Sequence, residues 1–214
     1  MVYRATQRSI ERKQERRTRL VTEAMRLFGE HGFHETTVPM IVAAANSSIG
    51  AFYLYFKNKE EIFASTLELL GQRISAAINQ SMAEACPDPL DHMRAAVKGL
   101  VRHLAANPRE ARILIVESSG LGERLEAVRR AVVQSHTRSV QQALTGLRDR
   151  LPAMDAAIAA SCWVGAVYES VFQWLEQPEG VRANAAHLAD SIAAFNLRAI
   201  GAPEQKISPG TKEG

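Results

Sequence analysis

The sequence predicts an all-α protein, and three observations carry that reading. Apolar residues recur at steps of three and four along nearly the whole chain, from Leu20 to Phe195. No stretch alternates apolar and polar residues as a half-buried strand would. The eight prolines fall mostly between the periodic segments, where they punctuate helices instead of breaking them. With 214 residues and 46% hydrophobic content, the chain can bury a substantial core as one large domain or two smaller ones.

Residues 1–15 are polar and rich in arginine, and they read as a flexible basic arm. Residues 1–20 carry seven basic side chains (Arg4, Arg8, Arg12, Lys13, Arg16, Arg17, Arg19) against Glu11 and Glu15, a local excess of +5 in a chain of net charge +3. A basic arm on a near-neutral body suits a polyanionic partner. A solvated helix start explains the same charges. The first helix is expected from Arg16, carries Leu20, Ala24, Leu27 and Phe28 inward, and stops at Gly32.

The next stretch, residues 36–61 (TTVPMIVAAANSSIGAFYLYFKNKEE), reads as two short helices joined by a tight turn and followed by a third. Val38, Ile41, Val42 and Ala45 recur at helical spacing, Thr37 is placed to cap, and Pro39 sits in the first turn where its missing N–H is harmless. Asn46 is the turn residue, since Asn tolerates positive φ better than most side chains. Ser47 or Ser48 can cap the second short helix, expected over 49–56. Asn58, with Glu61 three residues on, starts the long helix that follows.

On the second short helix Phe52 and Phe56 share one face and pack inward. Gly50, Ala51 and Leu54 lie opposite, flanked by Tyr53, Tyr55, Lys57 and Lys59. Small residues let backbone approach bases, while phenol and ammonium groups hold phosphates, so the helix suits a DNA groove. A structural helical hairpin with surface tyrosines is the plainer reading of the same pattern.

The remaining helices follow in order. A long one from Asn58 toward Ala85 carries Ile62, Phe63, Leu67, Leu70, Ile74 and Ile78, and ends at Cys86-Pro87-Asp88-Pro89. Leu90–Ala105 and a helix opened by Asn107-Pro108 come next, then Glu123–Arg150, closed by Leu151-Pro152. Met154–Glu176 is apolar almost all round, which implies burial on two sides. Val181–Ala199 is the last helix.

Residues 19–63 resemble the DNA-binding domain of the TetR family of bacterial transcriptional regulators. The resemblance rests on Ala24, Leu27, Phe28, Gly32-Phe33, Thr36-Thr37-Val38, Ile41, Ala44, Ser48, Gly50, Tyr53, Tyr55-Phe56 and Lys59-Glu60. The rest of the chain is similar to the family only in length and helical character. The resemblance implies a helix-turn-helix DNA-binding domain at 16–64 and a helical ligand-binding and dimerisation domain at 65–200, while the Pro, Gly, Ser and Lys of residues 201–214 predict a disordered tail. It implies a ligand-responsive regulator, a repressor released from operator DNA by a small, largely apolar effector, acting as a homodimer.

The expected DNA-facing residues are Thr37, Ser47, Ser48, Ile49, Gly50, Ala51, Tyr53, Leu54, Tyr55, Lys57 and Lys59, with Arg4, Arg8, Arg12, Lys13 and Arg16 from the arm. The family usually has a turn Gly and then Val where this chain has Asn46-Ser47. Position 49, often basic or polar in the family, is Ile. Base reading is therefore expected to lean on thymine methyl groups.

The last two helices are candidates for a four-helix interface between two copies, through Ala160, Val164, Val171, Trp174, Leu188, Ile192 and Phe195. A monomeric core gives the same pattern. The expected ligand pocket draws on Met93, Val97, Leu100, Leu104, Ile113, Val116, Glu117, Trp163, Val167, Tyr168 and Phe172, each of which also suits plain core. Glu117, Glu169, His103 and His136 are the polar groups placed to orient a ligand.

No catalytic motif, P-loop or metal-ligand spacing occurs, so neither an enzyme nor a cofactor is expected. Cys86 and Cys162 form no metal-like pair. The uncharged, mostly apolar run Ala156 to Tyr168 is 13 residues, short of the roughly 20 a bilayer span needs. No apolar segment follows the basic start, so a soluble, cytoplasmic protein without a membrane partner is expected. A small-molecule-binding or protein-interaction module, with DNA binding secondary, is the alternative function.

Overall fold

The computed structural model describes residues 7–118, 120–178 and 180–203, and among these it contains only helices and turns. The helices are α1 (Gln7–Glu35), α2 (Val38–Ala44), α3 (Ile49–Tyr53), α4 (Lys59–Ala83), α5 (Pro89–Ala106), α6 (Pro108–Arg112), α7 (Glu123–Gly146), α8 (Ala156–Glu176) and α9 (Ala185–Ala199). A π-helical segment, Ile113–Glu117, continues α6. There the Ser118 N–H reaches back five residues to the Ile113 carbonyl at 3.1 Å.

Local chemistry starts each element where the sequence places a cap. Thr37 accepts from the Met40 N–H (3.4 Å), Ser48 from Ala51 (3.1 Å) and Asn58 from Glu61 (2.9 Å), satisfying N–H groups that a helix start leaves unpaired. Asn46 takes positive φ (48°) in the turn between α2 and α3. Gly32, at φ 78°, breaks α1 near its end.

Packing then joins the elements. Phe28, Phe33 and Phe63 meet with centroids 4.9 and 5.0 Å apart across the two edge-on pairs, fixing α1 to α4. Phe52 and Phe56 are buried beneath α3. From this N-terminal unit α4 runs on into the body, where it packs against α5 and α7. Helix α5 packs on α9, and α7 on α8. A division near residue 64 thus falls inside α4, one continuous helix shared by both parts.

Several boundaries differ from expectation. Helix α1 begins at Gln7, not Arg16, so residues 7–15 of the expected flexible arm are helical. Between Gln7 and Phe28 there is no Gly or Pro, and Gln, Glu, Lys and Arg are good helix formers, so the packed turn around Leu20 propagates outward. Helix α3 ends at Tyr53, and a turn carries Phe56 inward through its N–H bond to the Phe52 carbonyl (3.0 Å). Helix α7 stops at Gly146, short of Arg150, and α9 starts at Ala185, after Val181. Arg4 and the tail from residue 204 lie outside the described residues.

Candidate nucleic-acid interface and ligand cavity

Because α3 buries Phe52, its opposite side is turned out. Ile49, Tyr53 and Leu54 are 50, 57 and 73% exposed, a cluster of large apolar groups that the fold does not use. A Cβ added at Gly50 would meet nothing within 4 Å, so the chain itself does not require glycine there. Thr37, Ser48 and Lys57 are exposed beside this face, and Ala51 is half-buried. Arg12, Lys13 and Arg16 are exposed on α1. The backbone at position 8 is helical within α1.

Three expected DNA-facing residues are placed otherwise. Lys59 is turned back on its own domain: its Nζ donates to the Phe33 carbonyl (2.7 Å) and the His34 carbonyl (3.2 Å), 4.3 Å from the Phe33 ring centroid. It closes the C-terminus of α1, where an ammonium complements the unpaired carbonyls. The Ser47 hydroxyl is buried, so of the two serines only Ser48 caps and is exposed. Tyr55 is half-buried, packed against Phe56.

A cavity of about 470 Å³ lies between α4, α5, α7 and α8. Of the expected lining residues, Met93, Val97, Leu100, Trp163, Val167 and Tyr168 surround it. Leu104 and Ile113 are buried in the core elsewhere, while Val116 and Phe172 are half-buried away from it. His136 and Tyr168 form a pair unforeseen from the sequence, Nδ1 to hydroxyl at 3.0 Å with their rings stacked. Burial pushes the His136 pKa below the usual histidine range and the Tyr168 phenol above its own. Glu169 bonds Gln173 on the surface, and His103 lies 3.6 Å from Glu110.

Glu117 faces away from the cavity. The π turn displaces the face that a regular helix would present inward. Its Oε2 accepts from the Phe33 N–H at 3.2 Å, at the junction with the N-terminal unit. In the same junction Arg109 pairs with Glu30 (2.7 Å), and a Cβ at Gly29 would lie 2.9 Å from that of Arg109. Only glycine permits so close an approach of α1 to α6.

Of the expected dimer residues, Ala160, Val164, Val171, Trp174 and Ile192 are buried within the chain itself, because α8 and α9 turn those faces to α5 and α7. Leu188 is half-buried. Phe195 is 62% exposed, as are Ile158, Cys162 and Gly165 on the outer side of α8.

Residues 20–66 match the family described as bacterial regulatory proteins, tetR family. The HTH-type transcriptional regulator TtgR of Pseudomonas putida is 28% identical over 183 residues, 81% of this chain and 87% of that protein. YerO, an HTH-type transcriptional regulator of Bacillus subtilis, is 41% identical over 54 residues, 25% of this chain but only 19% of YerO. The Bacillus subtilis regulator FadR, solved in complex with stearoyl-CoA, superposes with a TM-score of 0.74 at 21% identity, covering 86% of this chain and 98% of that one. Residues 20–66 thus carry the helix-turn-helix of the tetR family of bacterial regulatory proteins, and the all-helical body shares the fold of FadR.

Proposed function

We propose that the protein is a cytoplasmic, homodimeric repressor that holds operator DNA through α3 and lets go when a small, largely apolar molecule fills the cavity between α4, α5, α7 and α8. One observation carries this reading. Helix α4 is a single rod whose first turns belong to the core under the DNA-facing helices and whose later turns line the cavity. An occupant that shifts α4 moves the N-terminal unit with it. The junction of Glu117 with Phe33 and Arg109 with Glu30 ties the same unit to the body a second time. The stearoyl-CoA held by Bacillus subtilis FadR supports an apolar effector for a body of this fold.

A homodimer follows from the chemistry of recognition, because one short helix reads too few base pairs for useful discrimination. Its interface is the outer side of α8 and α9, with Ile158, Gly165 and Phe195. A Cβ at Gly165 would meet nothing within 4 Å in its own chain, which leaves room for a second copy. The DNA-facing set is Thr37, Ser48, Ile49, Gly50, Ala51, Tyr53, Leu54 and Lys57, with Arg12, Lys13 and Arg16 on phosphates.

Selection of bound DNA from a random pool with the purified protein tests the proposal. The expected product is a two-fold-related pair of half-sites, their centres about one helical turn or a multiple apart. A selected pool indistinguishable from the input would favour the alternative, a small-molecule or protein-binding module in which DNA contact is secondary.

A further inference from the structure

The cavity carries a recognition device more specific than its apolar walls. Among the described residues, none that lines it is Lys, Arg, Asp or Glu. A charged group drawn inside would find no counter-ion, and burying it unpaired is heavily unfavourable. Most of the polar lining is already committed or exposed. The Ser135 hydroxyl donates to the Val132 carbonyl (2.7 Å) and Ser139 to the Ser135 carbonyl (3.1 Å). Ser75 and Asn79 on α4 are exposed, and His92 is half-buried.

His136 is different. It is only 8% exposed, and its Nε2 is buried without a partner while its Nδ1 is held by Tyr168. A neutral imidazole has one N–H and one lone-pair nitrogen. Burial keeps the ring neutral by lowering its pKa. The Tyr168 hydroxyl has no other partner among the described residues, so its proton goes to Nδ1. That assignment puts the ring proton on Nε2. His136 lines the cavity, and this assignment leaves its Nε2–H as a buried donor without a partner.

We infer that the cavity selects an uncharged, mainly apolar molecule carrying a hydrogen-bond acceptor such as a carbonyl oxygen, which takes the Nε2–H of His136. The inference rests on the reading of the cavity as the effector site and names the class of molecule that site takes. Tyr168 is a positioning residue: it fixes which ring nitrogen carries the proton.

Three probes of equal chain length separate the possibilities: nonyl methyl ketone, undecanoate and undecylammonium. Binding is read by the fluorescence of Trp163, which lines the cavity, and by the affinity of the full-length protein for DNA. The ketone is expected to bind at least tenfold tighter than either ion and to weaken DNA binding. His136→Phe, which keeps volume and removes the N–H, is expected to weaken the ketone at least tenfold. His136→Gln, which restores a donor, is expected to recover most of that loss and guards against a folding defect in the first variant. If undecanoate or undecylammonium bound more tightly and weakened DNA binding, the effector site would stand and this assignment would fall. Equal ketone affinity in His136→Phe would overturn the role of His136. If no probe reached Trp163 or altered DNA binding, both the inference and the effector-site reading would be overturned.

Discussion

Replacing Lys59 by alanine separates a structural lysine from a DNA-contacting one. In the structure its ammonium makes two hydrogen bonds to the last carbonyls of α1, at 2.7 and 3.2 Å, and lies over Phe33. Hydrogen bonds to a charged group contribute about 1.5–3 kcal/mol net, and an exposed cation–π contact about 0.5–1 kcal/mol. Lys59 is half-buried, so solvent reduces both, and the combined loss is about 2 kcal/mol. For a chain of this length that corresponds to a fall of roughly 4–8 °C in Tm. Thermal unfolding of Lys59→Ala measures the loss directly. A salt series of DNA affinity on the same variant then asks whether a phosphate contact went with it. The expected outcome is a less stable protein whose slope of log K against log salt is unchanged. An unchanged Tm with a slope reduced by about 1, the signature of one lost phosphate contact, would refute the reasoning.

Other outcomes follow from the same geometry. Replacing thymine with uracil at each position of a selected half-site should cost about fourfold in Kd at one or more positions, since removing one buried methyl is worth about 0.8 kcal/mol. Equal affinity throughout would leave Ile49 and Leu54 without a role in base reading. Phe195→Asp should give folded monomers in sedimentation, whereas Ile192→Asp should unfold the chain, because Ile192 is buried in its own subunit. An intact dimer in Phe195→Asp would move the interface elsewhere. Glu117→Ala should leave cavity binding intact yet reduce the effect of an occupant on DNA affinity by about 0.5–2 kcal/mol of coupling. The check is the ratio of DNA affinities with and without nonyl methyl ketone in both proteins.

Much of the N-terminal unit was legible because short-range chemistry decides it. Thr37, Ser48 and Asn58 cap because their side chains reach their own backbone, and Asn46 turns because of its own φ. Residues whose roles depend on distant partners were not legible. Lys59 reads as a phosphate ligand until α1 delivers the Phe33 and His34 carbonyls to it, 26 and 25 positions away. Glu117 reads as a pocket residue because helical spacing cannot foresee a π turn, and that turn sends it to Phe33. Helices α8 and α9 are apolar enough to face either a partner or their own core. Only packing against α5 and α7 separates Ile192, buried, from Phe195, exposed. The pairing of His136 with Tyr168 spans 32 residues and two helices, so periodicity alone gives no sign of it.

Parallel salt titrations test most directly whether α3 reads DNA sequence from a charged scaffold. The affinity of the wild-type protein for its selected operator and for unrelated duplex of equal length would be measured over the same salt range. Both are expected to fall linearly on logarithmic axes, with the operator at least about a thousandfold tighter at physiological salt. Equal affinity for the two duplexes, or binding insensitive to salt, would contradict it.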